Sequence, residues 1–205
     1  MPIPLLVLRH GQTTWNAERR WQGWADAPLS ELGRRQAVDA GAHLAGLGFT
    51  RVCSSDLSRA RDTASLIAGA LGMDAPVVVE PALRERDVGS FSGRTIEELL
   101  VAYPGSFDPE TKRVLSIPDG EDDDALWRRV SPALTALAER HTDDRLLVIS
   151  HGGVIRTIER HLGLDPGAGT PNLGGRWFTV EEARLVGGES FVPLEAALVT
   201  EPPSE

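Results

Sequence analysis

Short apolar runs alternate with segments of helical spacing along this chain. Four runs have the length and apolar character of buried strands, at residues 3–8, 51–54, 77–79 and 145–149. Five segments carry apolar side chains at helical spacing, at residues 30–47, 57–71, 95–103, 124–141 and 154–162. Because strands and helices follow one another in turn, the sequence predicts an α/β fold, with a single domain, a mostly parallel sheet and helices on both faces.

The predicted helices have capping signals at their ends. Ser30 is placed to cap the first helix, and Gly48 follows its last apolar position. Thr95 and Glu98 form the pattern of a capping box. Pro132 falls inside the fourth helical segment, where we expect a kink.

The remaining segments are less regular. Residues 105–124 are rich in Pro, Gly and Asp and predict a long loop, which is usually functional or mobile in a compact domain. Residues 176–180 and 194–199 predict edge strands. We expect the tail, residues 201–205, to be disordered, which puts the domain at residues 1–200.

Composition fits one globular domain and narrows the classes of partner. The chain has 205 residues, of which 41% are hydrophobic and 25% charged. The net charge of -9 argues against nucleic acid as a partner, because nucleic acids select basic surfaces. The first 63 residues nevertheless carry eight arginines against six acidic residues, and this local excess of positive charge favours a small anion as ligand.

The start of the chain and its cysteine content indicate the compartment. Met1-Pro2-Ile3-Pro4 lacks a basic leader, and the apolar run behind it is too short for a signal peptide or a membrane span. The lone cysteine, Cys53, excludes an intrachain disulfide. We therefore expect a cytoplasmic protein without a membrane partner, and we leave a homodimer open.

Two His-Gly pairs follow strand-like runs that are far apart in the sequence. Arg9-His10-Gly11 comes at the end of the first run, and His151-Gly152-Gly153 comes just after the last one. Arg59 and Glu85 also follow predicted strands at short distances. The carboxyl ends of parallel strands meet at one edge of a sheet, so we expect these side chains to lie around one crevice.

These residue types indicate chemistry on a phosphate group. Arg9 and Arg59 can fork onto two phosphate oxygens, and the amides of a Gly-Gly pair at a helix start also favour an anion. The two arginines should help keep His10 neutral, as a nucleophile requires. Its other ring nitrogen then needs an acceptor, such as the Gly11 carbonyl or a nearby side chain. The set predicts a phosphoryl-transfer site.

Five stretches carry these residues in order along the chain. They are Leu8-Arg9-His10-Gly11-Gln12-Thr13 with Asn16, Ser54-Ser55-Asp56-Leu57-Ser58-Arg59-Ala60, Leu83-Arg84-Glu85 with Gly89 and Gly93, Pro118-Asp119-Gly120-Glu121, and Ser150-His151-Gly152-Gly153. Together they resemble the histidine phosphatase superfamily, in its phosphoglycerate-mutase-like branch. A lone Arg-His-Gly is weak evidence, whereas the five stretches in the family order are strong evidence. The chain departs from the family's usual Gly-Glu-Ser at Gly120-Glu121-Asp122.

The resemblance implies a role for each of the singled-out residues. His10 is the nucleophile that accepts the phosphoryl group, and Glu85 is the proton donor. Arg9, Arg59 and His151 bind and stabilise the phosphoryl group. The substrate-binding residues that we expect are Asn16, Gln22, Gly23, Arg86 and Gly152. No metal and no other cofactor is implied, and the expected partner is a small phosphorylated metabolite.

We interpret these residues as the active site of a metal-independent phosphomonoester hydrolase. Phosphoglycerate mutase-type transfer is the first alternative. Glu85-Arg86 is similar to a pair that holds a substrate carboxylate in the family's mutases. A mutase, however, needs a strongly cationic pocket closed to water. Residues 105–124 carry two basic residues against seven acidic ones, which favours hydrolysis.

Two further alternatives and one open question concern neighbouring residues. Cys53 and Arg59 have the spacing of a cysteine-dependent phosphatase loop, although no glycine lies between them. A phosphate-binding module without catalysis would keep the arginines and need neither nucleophile nor proton donor. Trp15, Trp21 and Trp24 are equally consistent with core packing and with walls of an apolar leaving-group pocket.

Overall fold

Parallel strands form the centre of the fold, with an antiparallel hairpin at one side. The computed structural model describes residues 2–167 and 169–193. The strands in this part of the chain are β1 (Ile3–Arg9), β2 (Arg51–Ser54), β3 (Val78–Val79), β4 (Leu146–Ser150), β5 (Gly175–Glu181) and β6 (Arg184–Phe191). The helices are α1 (Thr14–Ala17), α2 (Glu31–Leu44), α3 (Ser58–Ala70), α4 (Ile96–Ala102), α5 (Asp123–Arg140) and α6 (Gly152–His161).

The sheet has the strand order β3-β2-β4-β1-β5-β6. β1, β2, β3 and β4 are parallel to their neighbours in this group, whereas β5 runs antiparallel to β1 and β6. The carboxyl ends of β1, β2 and β4 therefore meet at one edge of the sheet. This architecture confirms the predicted α/β class with a mostly parallel sheet.

Helices cover both faces of the sheet, because successive side chains of β1 point to opposite sides. Leu5 and Val7 are fully buried against residues of α5 and α6. Leu6 and Leu8 are fully buried on the other face, against residues of α2 and α3. A strand with two buried faces requires an unbroken apolar sequence, which explains why β1 shows no polar alternation.

The helix ends follow the predicted caps. The Ser30 hydroxyl accepts the Gly33 amide at 3.0 Å, and Gly48 adopts the left-handed region at φ 70 after a 3-10 turn extends α2. Thr95 caps α4 in a capping box. Pro132 lies inside α5, which continues through it as one helix.

A third cluster of buried side chains, in addition to those on the two faces of the sheet, lies under the long predicted loop. Trp21, Val88, Phe91, Leu99 and Phe107 form this cluster, and side chains from the loop pack against it. The loop ends where the Asp122 side chain caps α5 by accepting the Ala125 amide at 2.6 Å. Residues 105–122 are therefore anchored to the fold by apolar contacts.

The carboxyl-terminal strands differ from the prediction. β5, predicted as an edge strand at residues 176–180, lies inside the sheet between β1 and β6, and β6 is the edge. The β5–β6 turn uses left-handed conformations at Glu182 and Ala183, φ 47 and 59, without the usual Gly or Asn. Gly187 weakens the strand signal of β6, yet a Cβ there would lie 2.2 Å from Leu164. The edge strand predicted at residues 194–199 and the tail at residues 201–205 lie outside the described residues.

No helix in residues 2–167 and 169–193 is both long and apolar enough to cross a membrane.

Candidate active site

The singled-out side chains converge at the carboxyl edge of the sheet. His10 follows β1, and its amide donates to the Ser150 carbonyl of β4 at 3.0 Å. His151 follows β4, and the two imidazole rings stand edge to face with centroids 5.2 Å apart. Arg59 lies in the first turn of α3, after β2. Glu85 follows a 3-10 turn after β3, and a single cleft is lined by Arg9, His10, Arg59 and Glu85.

The ring of His10 is oriented by two hydrogen bonds. A carbonyl oxygen only accepts, so Nδ1 carries the proton and donates it to the Gly11 carbonyl at 2.7 Å. Nε2 is left with its lone pair and accepts the Nε–H of Arg59 at 3.2 Å. A Cβ on Gly11 would lie 2.6 Å from the Gly33 carbonyl, so only glycine fits the backbone at this acceptor.

Burial and positive charge keep His10 neutral. The residue is 3% exposed. Its pKa lies well below the usual 6.5, first because of burial and then because of the Arg59 and Arg9 charges. A neutral ring with Nε2 unprotonated is the form that can attack phosphorus.

Arg59 is held rigidly in the core of the site. It is fully buried, and its two terminal nitrogens donate to the carbonyls of Ala25 and Gly23, each at 2.7 Å. Gly23, predicted to bind substrate, lines the cleft and has φ 50, a left-handed conformation that suits glycine. The Gly23 carbonyl thus contributes to the site by orienting Arg59.

His151 offers one ring nitrogen to the site. Its Nε2 lies 2.7 Å from the Ser55 hydroxyl. Its Nδ1 is buried and has no hydrogen-bond partner within the described residues. Burial first, and then the charge of Arg59, holds the pKa of His151 well below its usual 6.5. An oriented, unsatisfied nitrogen beside His10 is suited to a ligand oxygen.

Asn16 contributes a second unsatisfied polar atom. Its Oδ1 accepts the Thr13 amide at 3.1 Å, which fixes the side chain at the start of α1. Its Nδ2 is buried without a hydrogen-bond partner in the part of the chain that the structure describes. Gln22 lines the cleft, and its Oε1 accepts the Thr13 hydroxyl at 3.0 Å.

Glu85 is held by backbone amides from two segments. Oε1 accepts the Arg86 amide at 2.7 Å, and Oε2 accepts the Gly153 amide at 3.1 Å. A Cβ on Gly153 would lie 2.2 Å from Glu85 Oε1, so the carboxyl group occupies the space that glycine leaves. Gly153 lines the cleft. At Gly152, the predicted substrate contact, a Cβ would lie 3.5 Å from the Arg9 side chain.

The helix α6 begins two residues earlier than predicted, at Gly152. The glycine pair hides the helical pattern in the sequence because glycine is a weak helix former. As a result, the first amides of α6 lie directly at the site, and the Gly153 amide donates to the Glu85 carboxyl group, as the N–H groups of a helix start favour an anion.

Arg86 lines the cleft but is drawn toward α5 and α6. Its Nη2 donates to the Asp123 carboxylate and, at 3.1 Å, to the Thr157 hydroxyl. Its Nε is buried without a hydrogen-bond partner among the described residues. The predicted substrate contact therefore shares its charge with Asp123.

The Gly120-Glu121-Asp122 segment, where Asp122 replaces the expected serine, supports the Glu85 segment through Arg129. The guanidinium of Arg129 forks onto the Glu121 carboxylate at 2.8 and 2.7 Å. The same guanidinium donates to the carbonyls of Ala82, Arg84 and Glu85, at 2.7, 2.8 and 2.8 Å. Sequence reasoning missed Arg129, because a helix residue 44 positions from Glu85 gives no local signal of this contact.

Other contributors were also missed by the sequence. Asn172, in the loop before β5, is 1% exposed, and its amide group donates to the His10 carbonyl at 3.0 Å. Thr63 accepts the Gly11 amide at 3.1 Å. Arg113, Arg156 and Arg160 line the cleft beyond the histidines. The spacing of Arg156 and Arg160 after the His151 motif is the signal that could have found these two residues.

Of the three tryptophans, Trp21 lines the cleft, and Trp15 and Trp24 do not. Trp21 also packs edge to face on Phe91, with ring centroids 5.6 Å apart, so it serves both predicted roles. Trp24 is 44% exposed, and its indole N–H donates to the Glu85 carbonyl at 2.8 Å. Trp15 packs beside Gly93, at 3.4 Å from its would-be Cβ.

The environment of Cys53 disfavours a thiolate nucleophile. The side chain is fully buried inside β2. Burial raises the pKa of the thiol to about 12. Arg59, which a cysteine-dependent loop would aim at a phosphate beside the thiolate, instead donates to His10. In residues 2–167 and 169–193, no group of three His, Cys, Asp or Glu side chains is arranged to hold a metal ion.

Comparisons with known proteins match most of the chain. Residues 5–190 match the model of the histidine phosphatase superfamily, branch 1. A probable phosphoglycerate mutase GpmB from Salmonella arizonae is 39% identical over 157 residues, which cover 73% of this chain and 70% of the relative.

Two solved structures share the fold over most of the chain. Phosphoglycerate mutase from Bacillus anthracis superposes with a TM-score of 0.79 at 26% identity, covering 93% of this chain and 92% of the other. A mycobacterial glucosyl-3-phosphoglycerate phosphatase superposes with a TM-score of 0.72 at 29% identity, covering 87% and 90%.

Proposed function

Since the chain belongs to the histidine phosphatase superfamily, we propose that it is a metal-independent phosphomonoester hydrolase that works through a phosphohistidine on His10. The observation that carries this proposal is the pair of hydrogen bonds on the His10 ring. Gly11 accepts from Nδ1 at 2.7 Å, and Arg59 donates to Nε2 at 3.2 Å. They support a neutral imidazole whose unprotonated nitrogen is Nε2, beside a guanidinium that can bind phosphate.

In the first step, His10 Nε2 forms a bond to phosphorus while the bond between phosphorus and the ester oxygen breaks. Glu85, in its protonated form, gives its proton to the departing oxygen. Arg9, Arg59 and His151 stabilise the charge on the other phosphoryl oxygens. The amide groups of Asn16 and Gln22, together with the backbone at Gly23 and Gly152, position the phosphate group.

In the second step, water attacks phosphorus and the bond between phosphorus and His10 breaks. Glu85, now a carboxylate, takes a proton from the water and so returns to its starting state. Inorganic phosphate is released. The N–H on Nδ1 of His10 stays on the Gly11 carbonyl throughout, which orients the ring in both steps.

The proposed substrate class is a small phosphorylated metabolite. The names of the similar proteins support this class, since they refer to phosphoglycerate and glucosyl-3-phosphoglycerate. The apolar wall of the cleft, formed by Trp21, Val88, Val114 and Ile117, supports a substrate with an apolar or ring-shaped part next to the phosphate.

Phosphoglycerate mutase-type transfer is the second candidate. The cleft is richer in arginine than the acidic loop at residues 105–124 led us to expect, and a cationic pocket is what a mutase needs. Hydrolysis remains the proposal because Arg86 is already paired with Asp123. Incubation with 3-phosphoglycerate and a bisphosphoglycerate primer separates the two reactions. Release of phosphate faster than formation of 2-phosphoglycerate supports the hydrolase, and the reverse order supports the mutase.

The intermediate itself tests the mechanism. Brief mixing of the protein with an aryl phosphate should leave an acid-labile, base-stable phosphoryl group on the wild-type chain and on His43→Ala, whose ring is exposed on α2. His10→Ala should carry no such group and should lose essentially all turnover. Labelling of His10→Ala, or turnover near the wild-type rate, contradicts the proposal.

A further inference from the structure

Ser55 places a buried hydroxyl against the second histidine of the site. The residue follows β2 directly, and its Oγ lies 2.7 Å from Nε2 of His151. Both residues are fully buried. The amide of Ser55 donates to the Ile149 carbonyl of β4 at 3.1 Å, which fixes the backbone of Ser55 beside the strand that carries His151. The pairing of β2 with β4 therefore creates this contact between residues 96 positions apart.

The direction of this hydrogen bond determines which nitrogen of His151 carries a proton. A hydroxyl can donate or accept, whereas a neutral imidazole has one N–H and one bare nitrogen. If the Ser55 hydroxyl donates, Nε2 is bare and the ring proton lies on Nδ1. If the hydroxyl accepts, the ring proton lies on Nε2 and Nδ1 is bare. The two directions correspond to the two neutral tautomers of the ring.

The surroundings of His151 disfavour a cationic ring. Burial lowers its pKa well below 6.5, and neighbouring titratable groups lower it further. These groups, in order of decreasing effect, are Arg59, His10, Arg129 and Arg9. The ring therefore carries a single proton, and the choice is between the two neutral tautomers.

The phosphoryl oxygens distinguish the tautomers because, when ionised, they only accept hydrogen bonds. Nδ1 of His151 is buried without a hydrogen-bond partner among the described residues, in a ring whose centroid lies 5.2 Å from that of His10. With the proton on Nδ1, the ring donates to a phosphoryl oxygen and the Ser55 hydroxyl donates to Nε2. With Nδ1 bare, its lone pair faces the oxygen and the hydroxyl proton loses Nε2 as its acceptor. Unsatisfied buried donors are costly, so the first arrangement is favoured.

We infer that Ser55 is a positioning residue whose hydroxyl donates to Nε2 of His151, which keeps the ring proton on Nδ1 for donation to the phosphoryl group. This inference rests on the proposed function, because it places the phosphoryl group beside both histidines. His151 then acts as a neutral hydrogen-bond donor. His10 has the same tautomer and uses its other side, since Gly11 accepts from Nδ1 and the bare Nε2 attacks.

Heteronuclear NMR of the histidine ring nitrogens tests the tautomer directly. The enzyme is saturated with inorganic phosphate, the product of the proposed reaction, at neutral pH. The resonances of His151 are identified by their loss in His151→Ala. We expect Nδ1 to have the chemical shift of an N–H nitrogen and Nε2 that of a bare nitrogen. A proton on Nε2 alone, or on both nitrogens, overturns the inference.

The kinetics of Ser55→Ala test whether the hydroxyl contributes to turnover. The variant should lower kcat by on the order of 10-fold, as for the loss of one buried hydrogen bond. The loss should be equal for 4-nitrophenyl phosphate and an alkyl phosphate, because His151 acts on the phosphoryl group and not on the leaving oxygen. The matched control is Ser54→Ala, which removes an equally buried hydroxyl that has no hydrogen-bond partner in the described part of the chain. This control should match the wild type.

The double variant Ser55→Ala/His151→Ala separates positioning from a general structural role. Residues that act as a unit are non-additive, so removing the hydroxyl should change kcat by less than about 2-fold once the ring is absent. A further loss as large as that in the wild-type background would show that Ser55 acts independently of His151. That result overturns the inference, as does a Ser55→Ala variant as fast as the wild type.

The outcomes separate this inference from the function on which it rests. If His10→Ala abolishes turnover while His151 shows the other tautomer, the hydrolase stands and the inference fails. If His10→Ala keeps its turnover, or if phosphate leaves the ring resonances of both histidines unchanged, the proposed function fails and the inference fails with it. Circular dichroism of each variant confirms that the compared chains are folded.

Discussion

The guanidinium of Arg129 donates to the main-chain carbonyl of Glu85 at 2.8 Å. The same side chain binds two further carbonyls of this segment and is itself held by the Glu121 carboxylate. Arg129 therefore fixes the backbone from which the Glu85 carboxyl group enters the cleft. It does not line the cleft, so any effect on the reaction should act through the position of Glu85.

This contact predicts that Arg129 variants lose activity selectively on alkyl phosphates. Arg129→Ala should lower kcat for an alkyl phosphate by on the order of 10- to 100-fold, because a displaced Glu85 no longer protonates the leaving oxygen. For 4-nitrophenyl phosphate, whose leaving group needs no proton, the loss should stay within a few-fold. Arg129→Lys keeps the charge without the forked guanidinium. Its kcat for the alkyl phosphate should lie between those of the wild type and Arg129→Ala.

The neighbouring Arg128 provides the control, since its side chain is exposed on the same helix. Arg128→Ala should match the wild type on both substrates. Equal losses on the alkyl and aryl substrates in folded Arg129→Ala would contradict a positioning role and indicate a general structural one.

Glu85→Gln should show the same contrast in stronger form. The amide keeps the shape of the side chain and cannot give a proton, so kcat for an alkyl phosphate should fall by on the order of 100-fold or more. With 4-nitrophenyl phosphate, the loss should again be a few-fold. Steady-state rates on both substrates measure the contrast, and a uniform loss would remove Glu85 from the acid role.

Gly153→Ala should damage the site through a single methyl group. The new Cβ would lie 2.2 Å from Glu85 Oε1, so the carboxyl group must move and lose its contact with the Gly153 amide. We expect kcat for an alkyl phosphate to fall by on the order of 10- to 100-fold. Gly69→Ala, where a new Cβ would meet nothing within 4 Å beyond the backbone of its own helix, should keep full activity.

Gly69→Ala should also raise the free energy of unfolding by about 0.5–1 kcal/mol, because alanine is the better helix former. Denaturant unfolding of both glycine variants tests this part of the prediction. Full activity in Gly153→Ala would show that the Glu85 carboxyl group is not confined by this helix start.

Two buried neutral histidines should make folding stability depend on pH. Burial holds the pKa values of His10 and His151 well below 6.5 in the folded protein. Below about pH 6.5, the unfolded chain takes up protons at these sites and the folded protein does not. The free energy of unfolding should therefore fall as pH decreases, by up to about 1.4 kcal/mol per pH unit for each histidine.

Denaturant unfolding between about pH 7 and pH 5 measures this slope. His151→Asn should reduce the slope, whereas His43→Asn, at an exposed position, should leave it unchanged. A slope that is the same in wild type and His151→Asn would contradict a neutral buried imidazole at position 151.

Cys53 should be inert in the native protein. Its buried thiol, with a pKa of about 12, should resist alkylation until the chain unfolds. Cys53→Ala should keep most of the activity, and chelators should not change the rate. Mass spectrometry of alkylated native and unfolded samples measures the first point. Loss of turnover in folded Cys53→Ala would favour the cysteine-dependent alternative.

The local sequence pattern determined the central strands and the place of the two histidines. The apolar runs defined β1, β2, β3 and β4, because a strand buried on both faces needs an unbroken apolar sequence. The strand ends then located His10 and His151 at one edge. The acceptor for the His10 ring, Gly11, was also within reach of sequence reasoning, since it is the adjacent residue.

Only the tertiary structure decided what surrounds these residues. The acidic composition of residues 105–124 predicted a cleft poor in positive charge, yet Arg156 and Arg160 supply that charge from α6. Arg86 was predicted to hold substrate and is paired with Asp123, 37 positions away. The edge strand β6 escaped detection because the conformations of its turn do not follow from residue type.

The physical reason is the range of the interactions. Helix periodicity, caps and strand burial depend on neighbours within a few residues, so they can be predicted from the sequence. The contact between Asn172 and the His10 carbonyl joins residues 162 positions apart, and it depends on the register in which β1 pairs with β4 and β5. The tertiary structure therefore decides which side chains share a cleft and what net charge the cleft carries.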